Sequence, residues 1–288
     1  MSQTSDLTQP RRRRLSAAHA RGNAVRYLVL GIAAVMAAFP FLWMILSSFK
    51  STGELAMYPP TFLPRQWHVE NFTTVFATAP FGRYYANSLF VAVTATIGQV
   101  LTSLVAGYAF ARLRFPGKNV IFAILLAALL VPFELVFRPL IELLSGLGWL
   151  NTYQGLIVPN IGSIMGVFLF RQFFTNLSTE IEEAAELDGA NLWRRFWSIV
   201  TPMAGPMIGA FSILSFVYNW NNYFFQLVVV TKSSLFTVQL GLATFRTVDS
   251  ASSFNLLMAA SALAIIPVLI VYLVLQKQII NAISGQLR

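Results

Sequence analysis

Between Arg26 and Lys50 the chain carries no charge, and the stretch Tyr27–Phe49 is long and apolar enough to cross a bilayer. Similar windows recur to the end of the sequence. Asn87–Ala111 lies between Arg83 and Arg112, and Leu156–Phe170 between Glu142 and Arg171. The intervals Pro206 to Lys232 and Asp249 to Lys277 hold two more. A further window starts after Lys118 and runs through a leucine-rich stretch to Pro132; it is the weak one, because Glu134 closes it early. That span either includes Glu134 or is short and tilted. Inside a membrane the backbone must satisfy its own polar groups, so such segments are helices. Pro40, Pro132, Pro159 and Pro267 fall within these windows as kinks that neighbouring helices can accommodate. The predicted fold is all-α and polytopic, with six transmembrane helices.

Composition agrees with a lipid-facing surface. Charged residues make up 11% and apolar residues 56%, against about 25% charged in an ordinary globular chain. With no cysteine and only two histidines, His19 and His68, disulfide, iron–sulfur and thiolate-zinc chemistry are excluded. A histidine-based catalytic or metal site has almost no material, so no catalytic residue and no metal ligand is assigned. Arg11–Arg14 before an apolar run and Ala18-His19-Ala20 have the look of a signal peptide. The cleavage-like site, however, precedes the apolar run, which is itself too long for a signal. The run therefore reads as a retained first helix, with residues 1–26 a disordered basic tail and 27–288 the membrane domain.

The net charge of +9 is explained by topology. With six spans, one side holds the arginines of the tail, Arg112, Arg114, Lys118, Arg171, Arg194, Arg195, Lys277 and Arg288. The other side holds Lys50, Arg65, Arg83, Lys232 and Arg246. By the positive-inside rule both termini are cytoplasmic, and no nucleic-acid partner is needed to account for the charge. The outer segments run from Lys50 to Ala86, near Gly146–Tyr153, and from Lys232 to Ser253. The longest internal cytoplasmic loop covers about 172–205.

That loop holds the most informative segment, Ser178–Pro206. Ile181–Leu187 is a helix-forming stretch with acidic Glu180, Glu182, Glu183 and Glu186, which suit a helix N-terminus. Ile181, Ala184 and Ala185 fall on one small apolar face at i, i+3, i+4. Gly189 is placed to end this helix in a left-handed conformation. Leu192–Ile199 follows as an amphipathic, aromatic-rich stretch, and Pro202 and Pro206 lead into the fifth span. On physical grounds alone, a solvated charged loop capped by glycine and a surface for close contact with a partner are equally good readings.

The segment resembles the EAA loop of ABC importer permeases: Glu-Ala-Ala, three residues, Gly, nine residues, Ile, one residue, Leu-Pro. Here Glu183-Ala184-Ala185, Gly189, Ile199 and Pro202 take those places, with Thr201 for the usual leucine. Shorter matches elsewhere resemble the carbohydrate-uptake branch, of the maltose and glycerol-phosphate type. They are Ser48-Phe49-Lys50, Glu70-Asn71-Phe72, Asn87-Ser88, Gly107-Tyr108-Ala109-Phe110-Ala111-Arg112, Asn151-Thr152 and Trp220-Asn221. The resemblance implies an inner-membrane permease that docks through this loop onto a separate ABC ATPase homodimer. Ala184 and Ala185 would pack in the ATPase cleft, Glu183 would pair with a basic residue, and Asp188, Gly189, Ile199 and Pro202 complete the coupling element. It further implies a second homologous permease chain, an extracytoplasmic solute-binding protein and a carbohydrate substrate.

No Gly-x-x-x-x-Gly-Lys-Ser/Thr element occurs; Gly117-Lys118 lacks both the leading glycine and the following hydroxyl. The expectation is a permease and not an enzyme, with no cofactor of its own and ATP and magnesium on the partner. An EAA-type permease for a non-sugar solute and a six-helix secondary transporter are the alternatives. Two polar features bear on a pathway. Ser212, Ser215, Asn219, Asn222 and Gln226 recur at i, i+3, i+7, i+10, i+14, which a continuous helix would place on one face. Their role is either hydrogen bonding between helices or lining a path where amides meet sugar hydroxyls, with Trp220 or Tyr223 stacking on the ring. Thr96, Gln99 and Ser103 form a smaller stripe read as packing. Glu134, Arg138 and Glu142 share i, i+4 spacing, read as an interfacial salt-bridged segment that Pro139 interrupts.

Overall fold

The computed structural model describes residues 10–247 and 254–285. The start of the basic tail, the end of the last outer segment up to Ser253, and residues 286–288 lie outside the described residues. Among the described residues all regular structure is helical. In chain order come α1 (Pro10–Ser47), α2 (Thr52–Leu55), α3 (Glu70–Thr78) and α4 (Phe81–Arg112). Next are α5 (Lys118–Ala128), α6 (Phe133–Gly146), α7 (Tyr153–Ile157) and α8 (Ile164–Asn176). The loop region contains α9 (Glu180–Leu187), α10 (Leu192–Arg195) and α11 (Thr201–Met203). The chain continues through α12 (Gly205–Trp220), α13 (Phe224–Val229), α14 (Val238–Thr247), α15 (Phe254–Ala264) and α16 (Ile266–Gly285).

Four units are long and apolar enough to cross a membrane: Val25–Ser47, Phe81–Arg112, Tyr153–Asn176 and Phe254–Gln278. Two further units are helix pairs, α5 with α6 bent by 99° and α10–α11 with α12 bent by 74°. The total is six if each bent pair is one span. The weak third window is thus a broken one: α5 ends at Ala128, and Pro132 starts a new helix in a different direction.

Three expectations are corrected. The basic segment is not disordered throughout, since α1 begins at Pro10 and runs without a break into the first apolar stretch. Proline is at home in a first helical turn, and the Arg, Leu and Ala that follow are strong helix formers. Pro139 does not interrupt α6, which continues from Phe133 to Gly146 around it. The fifth-span stripe does not lie on one helix, because α12 ends at Trp220 and Asn221–Tyr223 are non-helical. Adjacent asparagines, whose side chains compete for backbone groups, favour such a stop.

α4 is the central element, packed along α8 on one flank and α12 on the other. The approach to α8 is close because glycine removes a side chain from each helix. A Cβ on Gly107 would lie 2.5 Å from that of Phe170, and one on Gly166 2.3 Å from the Ser103 hydroxyl. Near the Arg112 end, Leu104, Tyr108, Phe170, Phe174, Phe196 and Val200 form one buried cluster. At the opposite end, Phe81, Tyr84, Trp220, Val238 and Phe245 form another.

Candidate docking loop and polar interior

α9 begins with three acidic residues in its first turn, where backbone N–H groups favour negative charge. It ends in a Schellman arrangement. The Ala190 N–H donates to the Ala185 carbonyl at 2.9 Å and the Gly189 N–H to that of Glu186 at 3.0 Å. Gly189 stands at φ +80°, a conformation open to glycine and strained for other residues. Two residues on, Asn191 caps α10, accepting from the Arg194 N–H at 2.9 Å. The chain then makes a π turn over Phe196–Val200, which holds the half-buried Ile199. Pro202 is exposed in α11, and the direction changes at Ala204 before α12.

The burial of α9 is inverted. Glu182, 8% exposed, is the one residue of this helix that is buried. Leu187 is 90% exposed, while Ile181, Glu183 and Ala184 are exposed, Ala185 is half-buried and Asp188 is exposed. Beside them Trp193 is 66% exposed. Glu182 reaches the cytoplasm-predicted end of α4. Its Oε2 accepts from the Tyr108 hydroxyl at 2.8 Å, and its Oε1 lies 2.9 Å from Arg112 Nε. The Arg112 contact is off the hydrogen-bonding line, so charge, not a directed bond, holds it. Arg112 also donates to the Leu177 carbonyl at 2.6 Å, and Arg195 pairs with Glu186. The sequence reading singled out Glu183 and passed over Glu182, Tyr108 and Arg112. The i, i+4 placing of Tyr108 and Arg112 on one face of α4 was the available signal. Which of two adjacent glutamates turns inward depends on how α9 lies against α4.

The polar residues of the fifth span divide into two groups. Ser215 donates to Gln99 Oε1 on α4, and Asn219 Nδ2 donates to the same oxygen at 3.1 Å. Gln226 accepts from Thr237, and the Trp220 indole, 1% exposed, donates to the Ala264 carbonyl at 3.1 Å. Ser212 bonds its own helix at the Ile208 carbonyl. Asn219, Trp220 and Gln226 thus face the interior of the bundle, where amides and indole are satisfied by neighbouring elements. Ser215 also edges a cavity of about 490 Å³ shared with Gln99, Asn160, Ser163 and Tyr218. Tyr223 lines another, of about 660 Å³, with Gln239, Phe254, Met258 and Ser261; Asn222 is half-buried beside it in sequence. In the smaller stripe, Ser103 donates to the Ser163 carbonyl at 3.3 Å, which ties α4 to the start of α8. Arg138 and Glu142 pair at 3.3 Å on an exposed surface, and Glu134 is not part of that pair.

The short signatures at the other end of α4 have structural work. Asn71 donates to the carbonyls of Ser48 and Lys50 at 2.9 and 3.0 Å and accepts from Asn255 at 2.9 Å. Asn87 donates to the carbonyls of Ser234 and Phe236 at 3.0 and 2.8 Å and accepts from the Tyr153 hydroxyl at 2.7 Å. Asn151 accepts from the N–H groups of Thr231 and Lys232 at 2.7 and 2.9 Å. Asn87 and Arg112 are 25 positions apart, so the Asn87 joint and the α9 contact are about 38 Å apart along α4.

Residues 99–285 match the family described as the binding-protein-dependent transport system inner membrane component. This chain belongs to that family. The match takes in the α9 loop, the bent fifth span and the Gln99 contact. The permease is 34% identical over 267 residues to the diacetylchitobiose uptake system permease protein NgcG of Streptomyces coelicolor, covering 92% of this chain and 88% of the relative. It is 33% identical to the arabinooligosaccharides transport system permease protein AraQ of Halalkalibacterium halodurans, covering 89% and 94%. It is 32% identical to the sn-glycerol-3-phosphate transport system permease protein UgpE of Escherichia coli O1:K1, covering 89% and 93%. In fold it is similar to a bacterial ABC transporter involved in import of the acidic polysaccharide alginate, with a TM-score of 0.78, 24% identity and coverage of 95% and 99%. The protein is a multi-pass inner-membrane permease subunit of an ABC importer, a class in which a separate subunit hydrolyses ATP.

Proposed function

We propose that this permease imports a carbohydrate or a polyol phosphate, delivered by an extracytoplasmic binding protein. The named cargoes of three relatives, two of them oligosaccharides, support that class. α9 is the coupling helix that seats in a cleft of the ATPase, which supplies ATP and magnesium chemistry from two copies of itself. The observation that carries this reading is the inverted burial of α9. Outside the apolar spans, this loop leaves three large apolar side chains, Ile181, Leu187 and Trp193, in solvent, and such a group marks a surface that a partner covers. Ala184 and Ala185 leave room for a close approach, and Glu183 has no ion partner among the described residues. A second permease completes the path, and the exposed apolar flank of α1 between Val25 and Leu42 faces that chain or lipid. Tyr223 and Asn222 on one side of the α12 break, and Ser215 on the other, are the candidates to meet solute. Asn219, Trp220 and Gln226 hold the helices that carry them.

The experiment is a mild-detergent pull-down of the tagged chain from its native membrane, with co-purifying proteins identified by mass. The expected result is an ATPase and a second six-span permease, with the ATPase lost in Leu187→Glu. The accompanying binding protein is then titrated with diacetylchitobiose, arabinooligosaccharides and glycerol 3-phosphate. A chain that purifies alone, and transports in liposomes without ATP, would overturn the reading in favour of a secondary transporter.

A further inference from the structure

Glu182 is the one buried residue of α9, and it reaches the membrane-spanning bundle at α4. The large apolar residues of α9, Ile181 and Leu187, are exposed, and its neighbour along the chain, α10, holds it through the pair of the mostly covered Arg195 with the exposed Glu186. The buried contact is chemically specific. Both oxygens of Glu182 are engaged, one by a phenol and one by a guanidinium, and both groups stand one helical turn apart on α4. Neither can give way easily. The Tyr108 ring is packed against Phe174 and Phe196 with centroids 5.6 and 4.9 Å away, and Arg112 is anchored a second time at the Leu177 carbonyl.

Displacing this carboxylate is costly, because it would leave the largely covered Arg112 without its counter-ion and the buried Tyr108 hydroxyl without its acceptor. An apolar contact between α9 and α4 would slide; this one pulls as well as pushes. α4 in turn packs along α8 and α12 and carries Gln99, which joins Ser215 and Asn219 of the fifth span.

We propose that Glu182, gripped by Tyr108 and Arg112, is a positioning residue that fastens the docking helix α9 to α4, so that displacement of α9 is passed to the membrane-spanning helices. The proposal rests on the reading of α9 as the ATPase-docking helix. It assigns a transmission role to a side chain that faces away from the docking surface.

The chain contains no cysteine, so introduced cysteines are the sole thiols on it. Spin labels at Glu180→Cys on α9 and Val93→Cys on α4 report whether the two helices move as one body. Both sites are exposed, and Val93 lies about 22 Å of helix rise from Tyr108. The labelled chain is assembled with its ATPase and second permease in nanodiscs, and dipolar distances are measured without nucleotide and with ATP and vanadate. The expected result is one unchanged distance distribution in the otherwise unaltered complex. In Glu182→Gln and in Tyr108→Phe the distribution shifts or broadens with ATP and vanadate, while the ATPase stays bound and hydrolysis continues. Tyr108→Phe keeps the packed ring and removes one oxygen, so it decides the matter if Glu182→Gln does not assemble. Distances that stay unchanged in both variants would overturn the proposal, as would a distance that already changes in the unaltered complex. An unaltered chain that retains no ATPase would instead overturn the docking reading on which the proposal rests.

Discussion

Replacing Gly189 separates backbone conformation from side-chain contact. The residue sits at φ +80°, and a Cβ built on it meets nothing within 4 Å. Steric overlap therefore contributes nothing, and the whole effect is the strain of a left-handed conformation at the end of α9. For an ordinary L-residue that strain is roughly 1–2 kcal/mol, less for asparagine and more for a β-branched side chain. If the turn must hold for α9 to seat on the ATPase, the strain subtracts from docking. At about 1.4 kcal/mol per decade, Gly189→Ala weakens docking by about 5- to 30-fold. Gly189→Asn falls between glycine and alanine, and Gly189→Val abolishes transport. The assay is titration of the purified chain with its ATPase, read by fluorescence anisotropy, alongside membrane insertion and melting of the chain alone. Both controls should be near wild type, because the turn lies outside the packed bundle. The reasoning fails if alanine docks better than asparagine, which would make side-chain volume the determinant. It also fails if Gly189→Val supports normal uptake.

Other sites give separate predictions. Gly107→Ala places a methyl 2.5 Å from Phe170 Cβ and 2.9 Å from the Arg171 nitrogen; overpacking of about 1–3 kcal/mol should lower the melting temperature in detergent. Asn87→Ala leaves the Ser234 and Phe236 carbonyls and the Tyr153 hydroxyl without their partner. Faster hydrogen exchange at residues 234–238 is the expected readout, with a loss of about 1–3 kcal/mol per stranded group that water does not reach. Glu54 lies outside the spans. Burial would raise its pKa, but Thr61, the Arg65 N–H and the charges of Lys50 and Arg65 together hold it below the ordinary 4.5. A depressed folded value means that its contribution is full above 4.5 and is lost as pH falls through that lower value. Acid titration of tryptophan fluorescence should show this loosening near Trp67, and Glu54→Gln should remove the pH dependence.

Much of the fold is legible because membrane spans are a matter of length and charge. The windows around Tyr27–Phe49 and Asn87–Ala111 need no tertiary information, and Gly189 could be placed from helix length and the left-handed rule alone. The breaks were less legible. The ends of α5 and α12 depend on local turns at Pro132 and at Asn221–Tyr223, where proline or paired asparagines permit a stop without dictating one. Within the candidate sites, periodicity placed Ser215 and Asn219 on a common face, and that face turned out to meet Gln99. Periodicity could not reveal that Glu182 turns inward while Glu183 turns out, since neighbouring carboxylates look alike until the packing partner is known. Tyr108 and Arg112 stood in a quoted signature without a role, because their role is defined by a loop far along the chain.

The asparagine joints opposite α9 hold backbone, not side chains, on most of their arms. Asn71 grips the carbonyls of Ser48 and Lys50, Asn87 those of Ser234 and Phe236, and Asn151 the amides of Thr231 and Lys232. A main-chain carbonyl is the same whatever residue bears it, and a main-chain N–H is the same for every residue but proline. The segments threaded through these joints can therefore exchange their outward-facing letters freely while the scaffold beneath keeps its shape. A surface of that kind can be refitted to a different delivery protein by substitutions that never disturb the helices below.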